Sequence, residues 1–286
     1  MPETTLTKLS PHVYWMSRGA PDRPSLCAVV GTQYTLMLDA GASASHARLF
    51  LDALRAENVP APRYLALTHW HWDHVFGAAE VGTSLIAHTE TAERLAVLRG
   101  YDWSNAALDS RVATGEELAS CAADIKLELP EPRKVRIATP EIVFQDGLEL
   151  HLGEVTCRIQ HVGGDHTADS CVMYIAPDRV LFLGDCLYAA AYAPARHYSK
   201  RLFSLLNTIL AFDASTYIEG HNPTVMTRLE FEEMADKMRL ADKLIEQLGT
   251  DAAAVLKAAQ TQIGQPLDAD TEYFIHAFIA GRALAK

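Results

Sequence analysis

The segment His69-Trp70-His71-Trp72-Asp73-His74 places four side chains able to ligate a metal within six residues. In extended backbone, residues two apart point the same way, so His69 and His71 can grip one ion together. Where the chain then turns into a helix, Asp73 and His74 swing to another side and could hold a second ion nearby. Nitrogen and oxygen ligands suit Zn²⁺ first, with Fe or Mn as alternatives. A lone histidine on an apolar face is ordinarily a core residue. Four potential ligands packed this closely are not explained by packing.

Three later segments have the same character. His161-Val-Gly-Gly-Asp-His166-Thr167 puts a histidine in a glycine-containing loop. Leu181-Phe-Leu-Gly184-Asp185 ends an apolar run in a carboxylate, and Ile218-Glu-Gly220-His221 ends another in a histidine. Each lies at or just past a strand end, where loops carry function. Asp39 and Thr68 are candidates to accept the second ring N–H of metal-bound histidines. Trp70 and Trp72 interleave the ligands and either wall a pocket or pack behind the loop; packing is the favoured reading. His12, His46, His88, His151, His161 and His276 read as surface or core residues.

Strands must present these groups. Val13–Met16, Leu26–Gly31, Tyr34–Asp39, Tyr64–Thr68 and Ser84–His88 are short apolar runs rich in β-formers. Ser43–Asn58 and Thr89–Arg99 read as helices. Residues 100–125 are helical but weakly amphipathic and read as an insertion or lid rather than core. Leu129–Pro140, with three prolines, is extended and a candidate link between two halves. Then Ile142–Phe144, Leu148–Leu152, Val155–Gln160, Cys171–Ile175, Val180–Leu183 and Thr216–Ile218 read as strands, with a helix over about Tyr198–Ala211. From Arg228 the pattern is helical, with Met234, Met238, Ala241, Ile245 and Leu248 along one face. Two β-rich halves with helices outside predict an α/β (α+β) fold, a four-layer αββα sandwich with a helical C-terminal tail. Residues 1–226 are expected to form the catalytic domain and 227–286 a helical extension packed on it.

Composition narrows the partners. The 286 residues carry a formal charge of −11, with 49% hydrophobic and 21% charged residues, which excludes disordered, collagen-like and coiled-coil chains. The acidic balance disfavours long nucleic acid and anionic membrane surfaces. No apolar run reaches the roughly 18 residues of a membrane span, and the first residues lack the pattern of a secretory signal. Five widely spaced cysteines without a CxxC pair read as reduced thiols. A cytoplasmic protein acting on a small molecule is expected, and the helical tail is a candidate homodimer surface.

On the His69–His74 run, His166-Thr167, Gly184-Asp185 and Gly220-His221, the chain resembles the metallo-β-lactamase-fold hydrolases over about residues 10–225. The resemblance implies that His69, His71 and His166 bind a first metal, that Asp73, His74 and His221 bind a second, and that Asp185 bridges them. His71 departs from the Glu of the diiron flavoprotein branch. Asp185 stands where true β-lactamases carry Cys or Ser, and the neighbouring Cys186 reads as structural. The bridging Asp is instead shared with thioester, lactone (glyoxalase II or lactonase-like) and phosphodiester hydrolases. Asp165 replaces the usual Gly before the third histidine. By analogy with the lactonase branch, Tyr188 is implied to contact the substrate oxygen. Tyr192, His197 and Tyr198 are further pocket candidates.

The reading that follows is a dinuclear metal hydrolase, with metal-bound hydroxide attacking a small carbonyl ester, thioester or lactone. Asp73 would orient the nucleophile and later protonate the leaving group. The alternatives are a mononuclear-iron oxidoreductase of the persulfide dioxygenase kind and a small-molecule phosphodiesterase. A binding module on a dead scaffold would have lost ligands, and none is missing. Substrate identity depends on the 100–125 segment, the loop after Asp185 and the tail, and fold does not fix it.

Overall fold

The computed structural model describes residues 5–192 and 195–284. One sheet has seven strands in chain order: β1 (Leu6–Lys8), β2 (Val13–Met16), β3 (Leu26–Val30), β4 (Thr35–Leu38), β5 (Tyr64–Ala66), β6 (Ser84–His88) and β7 (Ile142–Phe144). The second has β8 (Gly147–His151), β9 (Thr156–His161), β10 (Cys171–Ile175), β11 (Val180–Gly184), β12 (Thr216–Glu219) and β13 (Met226–Thr227), in the order β13-β12-β11-β10-β9-β8. The helices are α1 (Ala44–Ala56), α2 (Trp72–Val75), α3 (Ala78–Val81), α4 (Thr89–Leu98), α5 (Asn105–Thr114), α6 (Ala119–Glu128), α7 (Arg201–Leu210), α8 (Arg228–Leu248), α9 (Ala252–Ile263) and α10 (Ala269–Leu284).

Apolar runs too continuous for a half-exposed strand suit strands covered on both faces. Strand periodicity then splits each run between two cores. Cys27, Val29, Leu36 and Leu38 of the first sheet meet Ile159, Met173, Phe182 and Ile218 of the second in the central core. Their neighbours Leu26, Ala28 and Met37 point outward to Phe50 of α1 and Leu95 of α4. Val172, Leu181 and Leu183 point outward to Leu206 of α7, Met238 of α8 and Phe278 of α10. The result is the expected four-layer αββα sandwich. Phe182 has no exposed surface between the sheets, and cutting it to alanine would cost about 3–5 kcal/mol.

Two local readings change, and the expected turn into a helix after His71 is found. Residues 100–125 are not merely a lid: Trp103, Leu108, Ala122 and Ile125 are buried in the outer core of the first sheet. Leu248 leaves the apolar face of its helix and is 45% exposed. The cluster His71–Val75 forms a single helical turn, α2, with His71 at its N-cap. No helix among the described residues is long and apolar enough to cross a membrane.

Strand direction gathers the candidate site. β4, β5 and β6 run parallel, as do β11 and β12, and β9 shares their direction through the antiparallel β10. Asp39 follows β4, His69 follows β5, Asp185 follows β11 and His221 follows β12, so these ends meet at one edge of the sandwich.

Candidate metal centre

Two groups of side chains could each hold a cation: His69, His71 and His166, and Asp73, His74, Asp185 and His221. Asp185 joins them. Its Oδ2 lies 3.4 Å from His166 Nε2, 3.4 Å from His74 Nε2 and 3.2 Å from His221 Nε2. Asp73 Oδ2 is 3.2 Å from His74 Nε2 and 3.1 Å from His221 Nε2. In the first group, His71 Nδ1 faces His166 Nε2 at 2.9 Å. Tetrahedral zinc, with bonds of about 2.0–2.1 Å to nitrogen, sets its ligands roughly 3.3 Å apart, so these spacings suit donors converging on shared ions.

Unpartnered atoms support the same fit. His69 Nε2, His74 Nε2 and Asp185 Oδ1 are buried with no hydrogen-bond partner. Such atoms are costly unless something satisfies them. Burial pushes the His69, His71 and His166 rings below the ordinary imidazole value, leaving neutral nitrogens with free lone pairs. The second group is the opposite. Burial opposes charge on His74 and His221, yet the surrounding carboxylates outweigh it and hold both rings well above that value. Burial would likewise raise Asp73 and Asp185, but His74 and His221 hold both well below the usual carboxylate range. This pocket of the protein demands positive charge, and a divalent ion supplies it without protons.

The ring nitrogens facing away from the centre are tied down. His74 Nδ1 donates to Asp39 Oδ2 at 2.7 Å. Asp39 also accepts from Thr68 N at 2.7 Å and from Thr68 Oγ1 at 2.8 Å, and His69 Nδ1 lies 3.0 Å from that hydroxyl. Asp39 adopts a left-handed backbone, φ 57°, which costs an L-residue energy and persists where surroundings over-determine it. His221 Nδ1 sits 3.2 Å from Asp22 Oδ1. Asp22 escaped the sequence reading, because nothing in Ala20-Pro21-Asp22-Arg23 marks it as anything but a turn residue.

A cavity of about 450 Å³ opens over the centre, lined by His71, Asp73, His166, Asp185 and His221 together with Arg18, Trp72, Leu118, Cys121, Tyr188, Tyr192 and Arg196. The Tyr188 hydroxyl accepts from the His221 N–H at 3.1 Å, which leaves its own proton to donate. Burial, with Glu219 and Asp185 close by, raises the Tyr188 phenol well above its usual value, so it keeps that proton. The Tyr192 ring lies 5.4 Å from those of Trp70 and His71, and its hydroxyl donates to Glu117 at 2.8 Å.

Other candidates fall elsewhere. Tyr198 is buried and donates to Leu187 O, so it is a core residue behind the centre. His197 does not line the cavity; its Nδ1 faces Ala195 O at 2.9 Å. Both were drawn in only by closeness in sequence to Asp185. Cys186 is buried in the outer core of the second sheet, and all five cysteines are free. Asp165 accepts from Ser199 N and Oγ at 2.7 and 2.6 Å, pinning the His166 loop to the start of α7. Trp70 Nε1 donates to Thr167 Oγ1 at 3.1 Å and braces the same loop. Trp72 does both things considered for it: it is buried in the outer core and touches the cavity.

The family model described as "Metallo-beta-lactamase superfamily" matches residues 20–232. The acyl-coenzyme A thioesterase MBLAC2 of Bos taurus is 23% identical over 199 residues, spanning 66% of this chain and 68% of that protein. Among solved structures, a metallo-β-lactamase from Pontibacter korlensis superposes with a TM-score of 0.56 at 18% identity, covering 81% of this chain and 96% of its own. The stereoselective inverting sec-alkylsulfatase Pisa1 from Pseudomonas sp. gives a TM-score of 0.67 at 13% identity, covering 98% of this chain. This chain spans half of that sulfatase. At these identities the structural likenesses speak for the fold alone.

Proposed function

Because the chain belongs to the metallo-β-lactamase superfamily, we propose that it is a hydrolase holding two divalent ions, zinc in the first instance, and cleaving a small ester, thioester or lactone. The observation that carries this reading is Asp185 Oδ2, placed within 3.4 Å of histidines from both groups. His69, His71 and His166 would hold one ion, Asp73, His74 and His221 the other, with Asp185 shared. When bound, the ions supply Lewis acidity to a carbonyl oxygen and lower the pKa of water.

The chain's own residues do the rest. Asp73 lines the cavity as an ionised carboxylate, an acceptor that can orient an attacking water. Tyr188 keeps its proton and can donate it to the oxygen on which negative charge develops. Asp39, Thr68 and Asp22 fix the ring orientations of His74, His69 and His221. Trp72, Leu118 and Tyr192 exclude water from part of the wall. The bovine relative's name supports a thioester among the candidate bonds, and the cavity suits the reacting end of a small molecule. Five free cysteines support a reducing compartment.

The test couples metal analysis of purified protein to a panel of thioesters, lactones, esters and phosphodiesters. About two zinc per chain with turnover of a carbonyl substrate is expected. One iron per chain with sulfur oxidation, or cleavage confined to phosphodiesters, would overturn the reading.

A further inference from the structure

We propose that the substrate carries an oxyanion, carboxylate or phosphate, away from the bond that breaks, and that Arg18 and Arg196 hold it. The breaking bond rests on the hydrolase reading above; the arginine pair rests on geometry of its own. Both arginines line the same cavity as His71, Asp73, Asp185 and His221. They reach it from loops far apart in the chain, Arg18 from the one between β2 and β3, Arg196 from the one between β11 and α7. Two cations delivered independently to one small cavity are not a by-product of a single helix or strand.

That no carboxylate of the cavity pairs with them is the second observation. The chain has 36 acidic residues against 25 basic ones, so carboxylates are plentiful. Arg23, Arg48, Arg55, Arg179, Arg228, Arg239 and Arg282 each pair with one; the other arginines without such a partner lie outside this cavity. Among the described residues, neither Arg18 nor Arg196 forms an ion pair. The carboxylates that share their cavity are occupied: Asp22 with His221 Nδ1 at 3.2 Å, Asp73 and Asp185 with His74 and His221. Guanidinium is a planar fork of donors that matches carboxylate and phosphate oxygens. Between these charges the wall is largely apolar, with Leu118, Ala189, Ala191 and the Tyr192 ring. The cavity thus fits a short apolar body with a reactive carbonyl and a separate anion. In an acidic protein, the pair would also draw anions toward this one opening.

The decisive experiment uses the holoenzyme and three matched phenyl thioesters. One ends in a carboxylate, one in a phosphate and one in a neutral primary amide. The wild type is expected to prefer a charged member. Arg18→Gln and Arg196→Gln should each cut the charged-to-neutral ratio of kcat/KM by about 10- to 100-fold, chiefly through KM, and Arg→Lys should restore part of it. Whichever charged member loses more identifies the native anion as carboxylate or phosphate. A second arm follows glutarate and inorganic phosphate binding to chelator-treated protein by calorimetry, with Tm as the control for folding. Binding should weaken similarly in the double Gln variant. If the wild type cleaves none of the thioesters, the hydrolase reading is at fault and the calorimetric arm still decides the arginines. An unchanged charge ratio, or anion binding indifferent to both substitutions, would overturn the proposal.

Discussion

A side chain at Gly220 would take the place of the Asp185 carboxylate: a Cβ built there overlaps Oδ1 and comes within 3.1 Å of His74 Cε1. Gly220 N also donates to Gly184 O at 2.9 Å, locking together the ends of β11 and β12 from which Asp185 and His221 project. Glycine is needed here for closeness, not for a left-handed backbone. Gly220→Ala should therefore push Asp185 off its shared position. We expect metal affinity or turnover to fall about 10- to 100-fold, measured by metal content after dialysis and by rate on the best panel substrate. Full metal content and rate would show that Asp185 is not held where the centre needs it.

Asp39 serves two histidines at once, His74 directly and His69 through Thr68. Asn at this position can keep the left-handed backbone and the same volume, but it loses the charge and one acceptor. Asp39→Asn should lower metal affinity by about 10- to 100-fold while the fold survives. Competition with a chromophoric chelator measures the first effect and far-ultraviolet circular dichroism the second. Affinity equal to wild type would mean that the ligand rings are oriented by packing alone.

The candidate centre was legible in the sequence because its candidate ligands are compressed. His69, His71, Asp73 and His74 follow one strand, Asp185 and His221 each end an apolar run, and His166 stands in a glycine-containing loop after a strand. The strands were legible too, because burial on both faces gives unbroken apolar runs such as Leu-Cys-Ala-Val-Val in β3. What escaped depends on contacts between distant segments. Asp22 meets His221 from the far end of the chain segment that builds the two sheets, and Arg18 and Arg196 share a cavity only in three dimensions. Neighbourhood in sequence misled in the other direction, since Tyr198 follows Asp185 closely yet turns into the core. Weak amphipathicity hid the burial of Trp103 and Leu108, whose partners lie on another element.

The Tyr188 hydroxyl lines the cavity with its acceptor role already filled by the backbone N–H of a candidate ligand, His221. Tyr188→Phe removes the donor without touching any metal-binding atom. If that donor stabilises a developing oxyanion, kcat should fall about 100- to 1000-fold at unchanged metal content. A rise in KM alone would recast Tyr188 as a binding residue. An unchanged kcat would remove it from the reaction.

His88 and His161 stack face to face, with centroids 4.0 Å apart and planes at 9°. His88 caps the N-terminus of α4, where its Nδ1 accepts from Glu90 N at 3.3 Å. His161 Nε2 donates to Ala168 O at 2.7 Å, in the loop that carries His166. Burial, then His161, lowers the His88 pKa, with Glu90 and Asp169 opposing. Protonation would also destroy the acceptor and set a positive charge at a helix N-terminus. The folded protein therefore binds this proton less readily than the unfolded chain. Its stabilising preference for neutral His88 is complete above the unfolded value of about 6.5. It is lost progressively as pH falls below that value toward the lower folded pKa. Tm should drop between pH 7.5 and pH 5.0, and His88→Phe, which keeps a ring against Phe144, should shrink that drop. An identical drop in the variant would place the acid sensitivity elsewhere, in the candidate ligands themselves.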